Sequence, residues 1–182
     1  SKTYTGEEIT LSSADNEYAV VGLKEGVDYT VSYKKNVNKG TATVTFTGIG
    51  AYTGTVKKTF KITAAALTAD MEVSQKQFTV TYNKKGVKPA DRIRLEYNGT
   101  VLTYGKDYTI SWKNNKAVAA ADSAKAPQYR ITGKGNFTGK LAWETFTIEA
   151  ADLSQTTVTA ADIAYKAKAG NFKTKVQVVD VD

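Results

Sequence analysis

Apolar and polar residues alternate with a period of two along most of the chain, the signature of β-strands with one buried face. In the stretch YTVSY, Tyr29, Val31 and Tyr33 fall on one face, and Thr30 and Ser32 on the other. In ATVTFTG, Ala42, Val44 and Phe46 alternate with Thr43, Thr45 and Thr47. Threonine and β-branched residues suit a half-exposed pleated surface. Between these two strands, KKNVNKG offers Asn38 and Gly40 for the positive φ of a hairpin connection. The segment GIGAYTG then turns the chain into TVKKTFKI. No segment carries a helical period. One turn of helix is expected near Ala160, within TAADIAYKAKAG. Short strands punctuated this regularly predict an all-β sandwich.

The strands are written twice. GVDYTVSYKKN, starting at Gly26, returns 79 residues later as GKDYTISWKNN, starting at Gly105. TFTGIGAYTG, starting at Thr45, returns 85 residues later as RITGKGNFTG, starting at Arg130. The six added residues lie in AVAAADSAKAPQ, an Ala-rich loop over residues 117–128. The closing TFKI at Thr59 returns as TFTI at Thr145, 86 residues on, so one more residue has entered after Gly139. One extra residue within a strand predicts a β-bulge. Tyr165 with Gly170 resembles the opening of a third copy that stops at VQVVDVD.

This periodicity divides the chain into repeat 1 over residues 1–66, repeat 2 over residues 67–151 and a segment over residues 152–182. That segment either starts a third repeat or donates a strand to the second, and the pattern leaves both open. At around eighty residues, each copy has the size of a small domain. The opening SKTYTG falls inside a repeat, which reads as a piece of a longer array. In each repeated block the glycine, Gly26 or Gly105, supplies backbone freedom for the turn that leads into the strand. The aspartate, Asp28 or Asp107, is expected to accept backbone N–H bonds there. Tyr29 and Tyr108 are expected in the core.

The pattern Gly-x-Asp-Tyr-Thr-Val/Ile-Ser-Tyr/Trp, followed by Thr-Gly-x-Gly-x-Tyr/Phe-Thr-Gly and Thr-Phe-x-Ile, resembles tandem repeats of large surface or secreted proteins of gut-type Gram-positive bacteria. Those repeats are bacterial immunoglobulin-like or fibronectin III-like β-sandwich modules. The resemblance covers most of residues 4–149. It implies two tandem immunoglobulin-like antiparallel β-sandwich domains outside the cell or on its surface, with neighbouring domains in a longer chain. It implies a non-catalytic spacer or adhesion module. The alternative is a carbohydrate-binding module for a neutral polysaccharide such as an α-glucan. A surface protein is the other partner class, engaged through exposed strand edges. Pilin-like sandwiches of such proteins also cross-link a core Lys to an Asn, and nothing in the spacing selects such a pair here.

Composition narrows the chemistry. The chain has 182 residues and neither Cys nor His, which removes disulfides, thiol nucleophiles, Cys/His zinc sites and histidine acid–base catalysis. No catalytic residue and no cofactor is expected: the carboxylates form no evident pair of the glycosidase kind. No apolar run is long enough for a membrane helix, and no signal peptide is visible. The net charge is +7, but the lysines are scattered over hairpins (Lys34, Lys35, Lys57, Lys58, Lys84, Lys85, Lys113). Scattered lysines blunt sheet edges rather than form the concentrated stripe of a nucleic-acid reader.

The aromatic residues are the main candidates for binding. Both Trp fall in the second repeat. Trp112 replaces Tyr33 at a core-parity position. Trp143 stands where the first copy has Lys57 or Lys58, and its parity leaves core and surface open. An exposed indole stacks on a sugar face while polar neighbours hold the hydroxyls. Tyr97, Tyr104 and Tyr129 complete the candidate carbohydrate face. Tyr52 and Phe137, in equivalent loops, are expected to anchor the end of each repeat. Residues 180–182, Asp-Val-Asp, offer two hard oxygen ligands without the spacing of a calcium loop, and no metal is expected. Asn98-Gly-Thr100 and Asn136-Phe-Thr138 match a glycosylation sequon.

Overall fold

A computed structural model describes residues 1–155, 157–160 and 176–179. The protein is mostly strand, and its only described helices are three single 3-10 turns at Ala69–Met71, Ala90–Arg92 and Leu153–Gln155. It is all-β. Ala160 closes a strand rather than a helical turn. Tyr165, Gly170 and residues 180–182 lie outside the described residues, and with them the opening of a third copy and the acidic pair.

The first repeat is a four-stranded sheet. Its strands are β1 (Lys2–Thr3), β2 (Tyr29–Lys34), β3 (Gly40–Gly48) and β4 (Thr55–Thr63), in the order β1-β4-β3-β2. The pairs β2–β3 and β3–β4 are antiparallel, and β1 joins β4 in parallel. In this register Val44 faces Tyr33 and Lys58, so the alternation read from the sequence is the alternation of faces. Ile9, Ala42 and Ile62 form the buried cluster, with Tyr4 and Phe60 packed against it.

The second repeat, read from the sequence as residues 67–151, also takes in β5 at residues 65–66, which the repeat pattern places in repeat 1 and which follows β4 after one residue. Its strands are β5 (Ala65–Ala66), β6 (Thr79–Thr81), β7 (Glu96–Tyr97), β8 (Thr100–Val101), β9 (Tyr108–Lys113), β10 (Gln128–Gly133), β11 (Phe137–Thr138), β12 (Glu144–Thr145) and β13 (Thr147–Glu149). β9, β10 and β12 form an antiparallel sheet, β7 and β8 form a hairpin, and β5 and β6 run parallel to β11 and β13. The six-residue insertion is folded onto the body: Ala119 exchanges both backbone hydrogen bonds with Ile148, and Ala126 and Pro127 are buried.

One cluster holds this repeat together. The inward side chains Tyr108, Ile110, Tyr129 and Ile131 meet Leu67, Met71, Phe78, Ile93 and Leu95. Phe78 stacks on Tyr129 and Phe146 at 5.8 and 5.2 Å, and Trp112 meets Phe146 edge-on at 5.8 Å. Offset and edge-to-face ring pairs add to the burial of apolar area. The last described strands are β14 (Thr157–Ala160) and β15 (Val176–Val179), which pair with each other; among the described residues neither pairs with the second repeat.

Candidate functional site

The repeated block builds the same turn twice. Gly26 and Gly105 take φ of 79° and 84°, which an L side chain rarely adopts. Asp28 Oδ2 accepts the Lys24 N–H at 2.8 Å, and Asp107 Oδ2 accepts the Thr103 N–H at 2.9 Å. The carbonyls of the same aspartates accept from Ile49 and Lys134, both at 2.9 Å, and so tie each turn to its glycine-rich loop. Those loops close by Gly48 N–H to Gly54 O and Gly133 N–H to Gly139 O. A Cβ on Gly48 or Gly133 would come within 3.0 Å of the facing backbone, so each loop needs glycine at that point for close approach.

A second shared feature, which the alternation does not reveal, is the last residue of the block. Asn36 and Asn115 are both buried. Asn36 Nδ2 donates to Ile9 O at 3.2 Å, and the Asn36 backbone carbonyl accepts the Ile9 N–H at 2.8 Å. Asn115 makes the same clamp on Val87, at 2.7 and 2.9 Å. The recurrence of Asn at the eleventh position of both blocks was the available signal. Its position beside hairpin residues made it read as part of the turn.

The five aromatic candidates do not form one face. Tyr129 is fully buried, and its hydroxyl donates to Glu72 Oε1 at 2.6 Å. Burial first, and the Glu72 carboxylate second, push this phenol far above the usual tyrosine range. Trp112 packs against Tyr129 and Phe146 and is counted with the same core. Tyr129 presents no face on which a sugar can stack, and Trp112 is half-buried.

Tyr97 lies at the junction of the repeats. Its ring stacks on Tyr4 at 6.1 Å and meets Phe137 edge-on at 5.3 Å, and its hydroxyl donates to Tyr4 O at 2.8 Å. Phe137 is a buried anchor, while Tyr52 in the equivalent loop is 44% exposed. Tyr104 is exposed at the turn before β9, with its ring 5.8 Å from Tyr108.

Trp143 remains on the outer face. The facing strands count three steps from Tyr129 to Thr132 against four from Lys140 to Glu144, which is the bulge made by the extra residue. Trp143 sits in that bulge, half-buried, with the Arg130 guanidinium carbon 4.6 Å from its ring centre. Such a cation–π contact is worth about 0.5–2 kcal/mol. Arg130 Nε is shielded from solvent and has no hydrogen-bond partner. The first repeat has Thr45 opposite Lys57 at the corresponding place. The outer face of the second repeat therefore carries an aromatic–cation pair that the first lacks.

The junction itself is built from both repeats. Tyr4, Tyr97 and Phe137 form a triad of rings. Asn136 Oδ1 accepts the Lys39 N–H at 2.9 Å, and Asn136 Nδ2 donates to Asn38 Oδ1 at 2.8 Å. Asn98 Nδ2 donates to Thr5 O at 2.9 Å. Both asparagines of the sequon-like triplets are thus engaged in holding the repeats together.

Among the described residues, no group of three or more carboxylates is placed to hold a metal ion, and no helix is long and apolar enough to cross a membrane. No family model, curated protein or solved structure matches the chain.

Proposed function

We propose that this chain is a non-catalytic, extracellular pair of immunoglobulin-like β-sandwich modules, serving as a spacer or adhesion segment of a bacterial surface or secreted protein. The junction carries this reading. Only Ala64 lies between β4 and β5, and rings and side-chain amides from both sides lock the contact. A module that holds other domains at a distance needs such a short, packed joint; a flexible linker would not transmit direction. Spin labels on exposed positions of the two repeats test it. A single narrow inter-repeat distance is expected, broadened by Tyr4→Ala. A broad distribution in the unaltered chain would remove the spacer reading.

The Trp143–Arg130 pair favours a second reading, binding of a neutral polysaccharide on the outer face of the second repeat. Here the polar rows beside the indole, Ser111 and Thr109 on β9 and Gln128 and Thr132 on β10, supply hydroxyl and amide partners. Retardation in native gels cast with soluble α-glucans, lost in Trp143→Ala, supports this reading. Free migration through every gel ends it.

A further inference from the structure

The strand register of the first repeat gathers lysines that lie apart in the sequence. The outward positions of β2, β3 and β4 are those that alternate with the buried Ala42, Val44 and Ile62. Lys57 stands there in a row with Thr45 and Ser32, Lys34 in a row with Thr43 and Thr59, and Lys61 opposite Thr41. Every other outward position on these three strands is threonine. The face therefore presents three ammonium groups among hydroxyls, with no carboxylate and no ring. Lys34, Lys57 and Lys61 are exposed, and among the described residues none of them pairs with a carboxylate.

The spacing of these charges is set by the sheet. Lys57 and Lys61 are four residues apart on β4, about 13 Å along the strand. Lys34 is level with Thr59, midway between them, and two strands away, about 10 Å across. The three Cα atoms thus form a triangle with sides of about 12–13 Å. Duplex DNA carries one charge per about 1.7 Å of axis, which so sparse a set leaves mostly unanswered. Single strands need rings for their bases to stack on, and this face has none. A polysaccharide with a carboxylate on every sugar or every second one, and hydroxyls between, offers the alternation of charge and hydroxyl that the face complements.

We propose that the outer face of the first repeat binds an acidic polysaccharide of the uronic-acid class, with Lys34, Lys57 and Lys61 on its carboxylates and the threonine rows on its hydroxyls. This gives the adhesion reading a ligand and does not depend on the indole of the second repeat. Each contact is an exposed ion pair and weak by itself. Affinity comes from several contacts along one chain, and it falls as salt screens them.

Native gels cast with polygalacturonate test this with the unaltered 182-residue chain. Retardation is expected, and it should shrink as sodium chloride is raised. Lys57→Glu with Lys61→Glu, both at exposed positions, should weaken binding by about tenfold. Lys106→Glu with Lys125→Glu changes the net charge equally at exposed positions off the face, and should weaken it by less than about twofold. Fully methyl-esterified polygalacturonate, the same sugar chain without its charges, should not retard the protein. Free migration of the unaltered chain overturns the proposal, as does equal loss in the two double variants, which would make net charge alone responsible. Retardation by the esterified chain as strong as by the acid would show that the lysines do not select the ligand. Equal binding of duplex DNA at the same ionic strength would overturn the choice of a polysaccharide. The inter-repeat distance measured with spin labels should stay the same in Lys57→Glu with Lys61→Glu, so a failure of binding and a failure of the spacer reading are told apart.

Discussion

The two repeats share a turn, a hairpin and an asparagine clamp, yet they bury them to different depths. In the second, fourteen buried residues form one cluster, whereas the cluster of the first has three, so most of the hydrophobic stabilisation resides in the second. The difference does not lie in the repeated strands. It lies in residues 65–78, which bring Ala65, Leu67, Met71 and Phe78 against β10 and β11. Val44 and Phe60, the counterparts of Tyr129 and Phe146, instead line a groove of about 370 Å³ with Leu11 and Tyr18. A nearly identical block therefore makes a closed core or an open one according to what covers it.

The largest expected effect comes from cutting into the deeper core. Phe146 is fully buried and meets Phe78, Trp112 and Tyr129. Phe146→Ala should destabilise the second repeat by about 3–5 kcal/mol. Phe60→Ala removes a ring that is only half-buried, and should cost the first repeat about 1–2 kcal/mol. Both Trp lie in the second repeat, so tryptophan fluorescence follows that repeat alone while far-ultraviolet circular dichroism follows both. Equal losses from the two substitutions would mean that the contrast in burial has no energetic counterpart.

Each repeat also has a tyrosine hydroxyl on a glutamate. Tyr129 donates to Glu72 inside the core, and Tyr18 donates to Glu25 at the surface, both at 2.6 Å. The Glu25 hydrogen bond, then burial, pushes Tyr18 up to about 12. Tyr129 is raised further by burial and Glu72, and burial raises Tyr108 as well. A folded-state value above the unfolded one, near 10 for tyrosine, stabilises the fold fully below about pH 10. That contribution is lost as pH climbs past 10 toward the folded-state values. Fluorescence-detected urea unfolding should therefore show stability of the second repeat falling above about pH 10. Tyr129→Phe should flatten that fall, leaving the part due to Tyr108. At neutral pH the same substitution should cost about 1.5–3 kcal/mol, because Glu72 keeps only the 3.3 Å bond from Ser74 Oγ in its place. An unchanged pH profile in Tyr129→Phe would show that this hydroxyl does not control alkaline stability.

The asparagine clamp should behave alike in both repeats. Asn36→Ala and Asn115→Ala each remove a side-chain bond to a backbone carbonyl that stays buried, at a cost of about 1–2 kcal/mol. A loss in one repeat and not the other would show that the matching geometry conceals different local stabilities.

What the sequence disclosed follows from how local each feature is. The turns of Asp28 and Asp107 close within four residues, and the faces of β2, β3 and β9 follow from alternation, so both could be read directly. The bulge was legible because repetition exposed one surplus residue. Tyr129 was legible too, since it alternates with Ile131 and stands at the place of Val44, and both mark the inward face rather than a carbohydrate face. Tyr97 was not legible. Its partners Tyr4 and Phe137 are distant in sequence, and no periodicity marks a contact between repeats. The cover over the second core was equally hidden, because short apolar pieces between residues 65 and 78 carry no strand period of their own.

The smallest expected effect concerns the exchange of Tyr33 for Trp112 within the repeated block. Tyr33 Oη accepts the Leu11 N–H and donates to Leu11 O, both at 3.0 Å. The asparagine clamps hold Ile9 in one repeat and Val87 in the other, so two residues further on Leu11 corresponds to Pro89. Proline has no N–H to offer, and an indole cannot accept one. With Pro89 in place the hydroxyl loses one of its two partners, and a larger ring, Trp112, fills the core instead. Tyr33→Phe should therefore cost the first repeat about 0.5–1.5 kcal/mol. In a Leu11→Pro background, where only the carbonyl remains, the same substitution should cost clearly less. The difference between the two backgrounds measures the N–H bond directly. If Tyr33→Phe costs the same with Leu11 or Pro at position 11, the exchange of Tyr for Trp answers to ring size alone, and the proline is incidental.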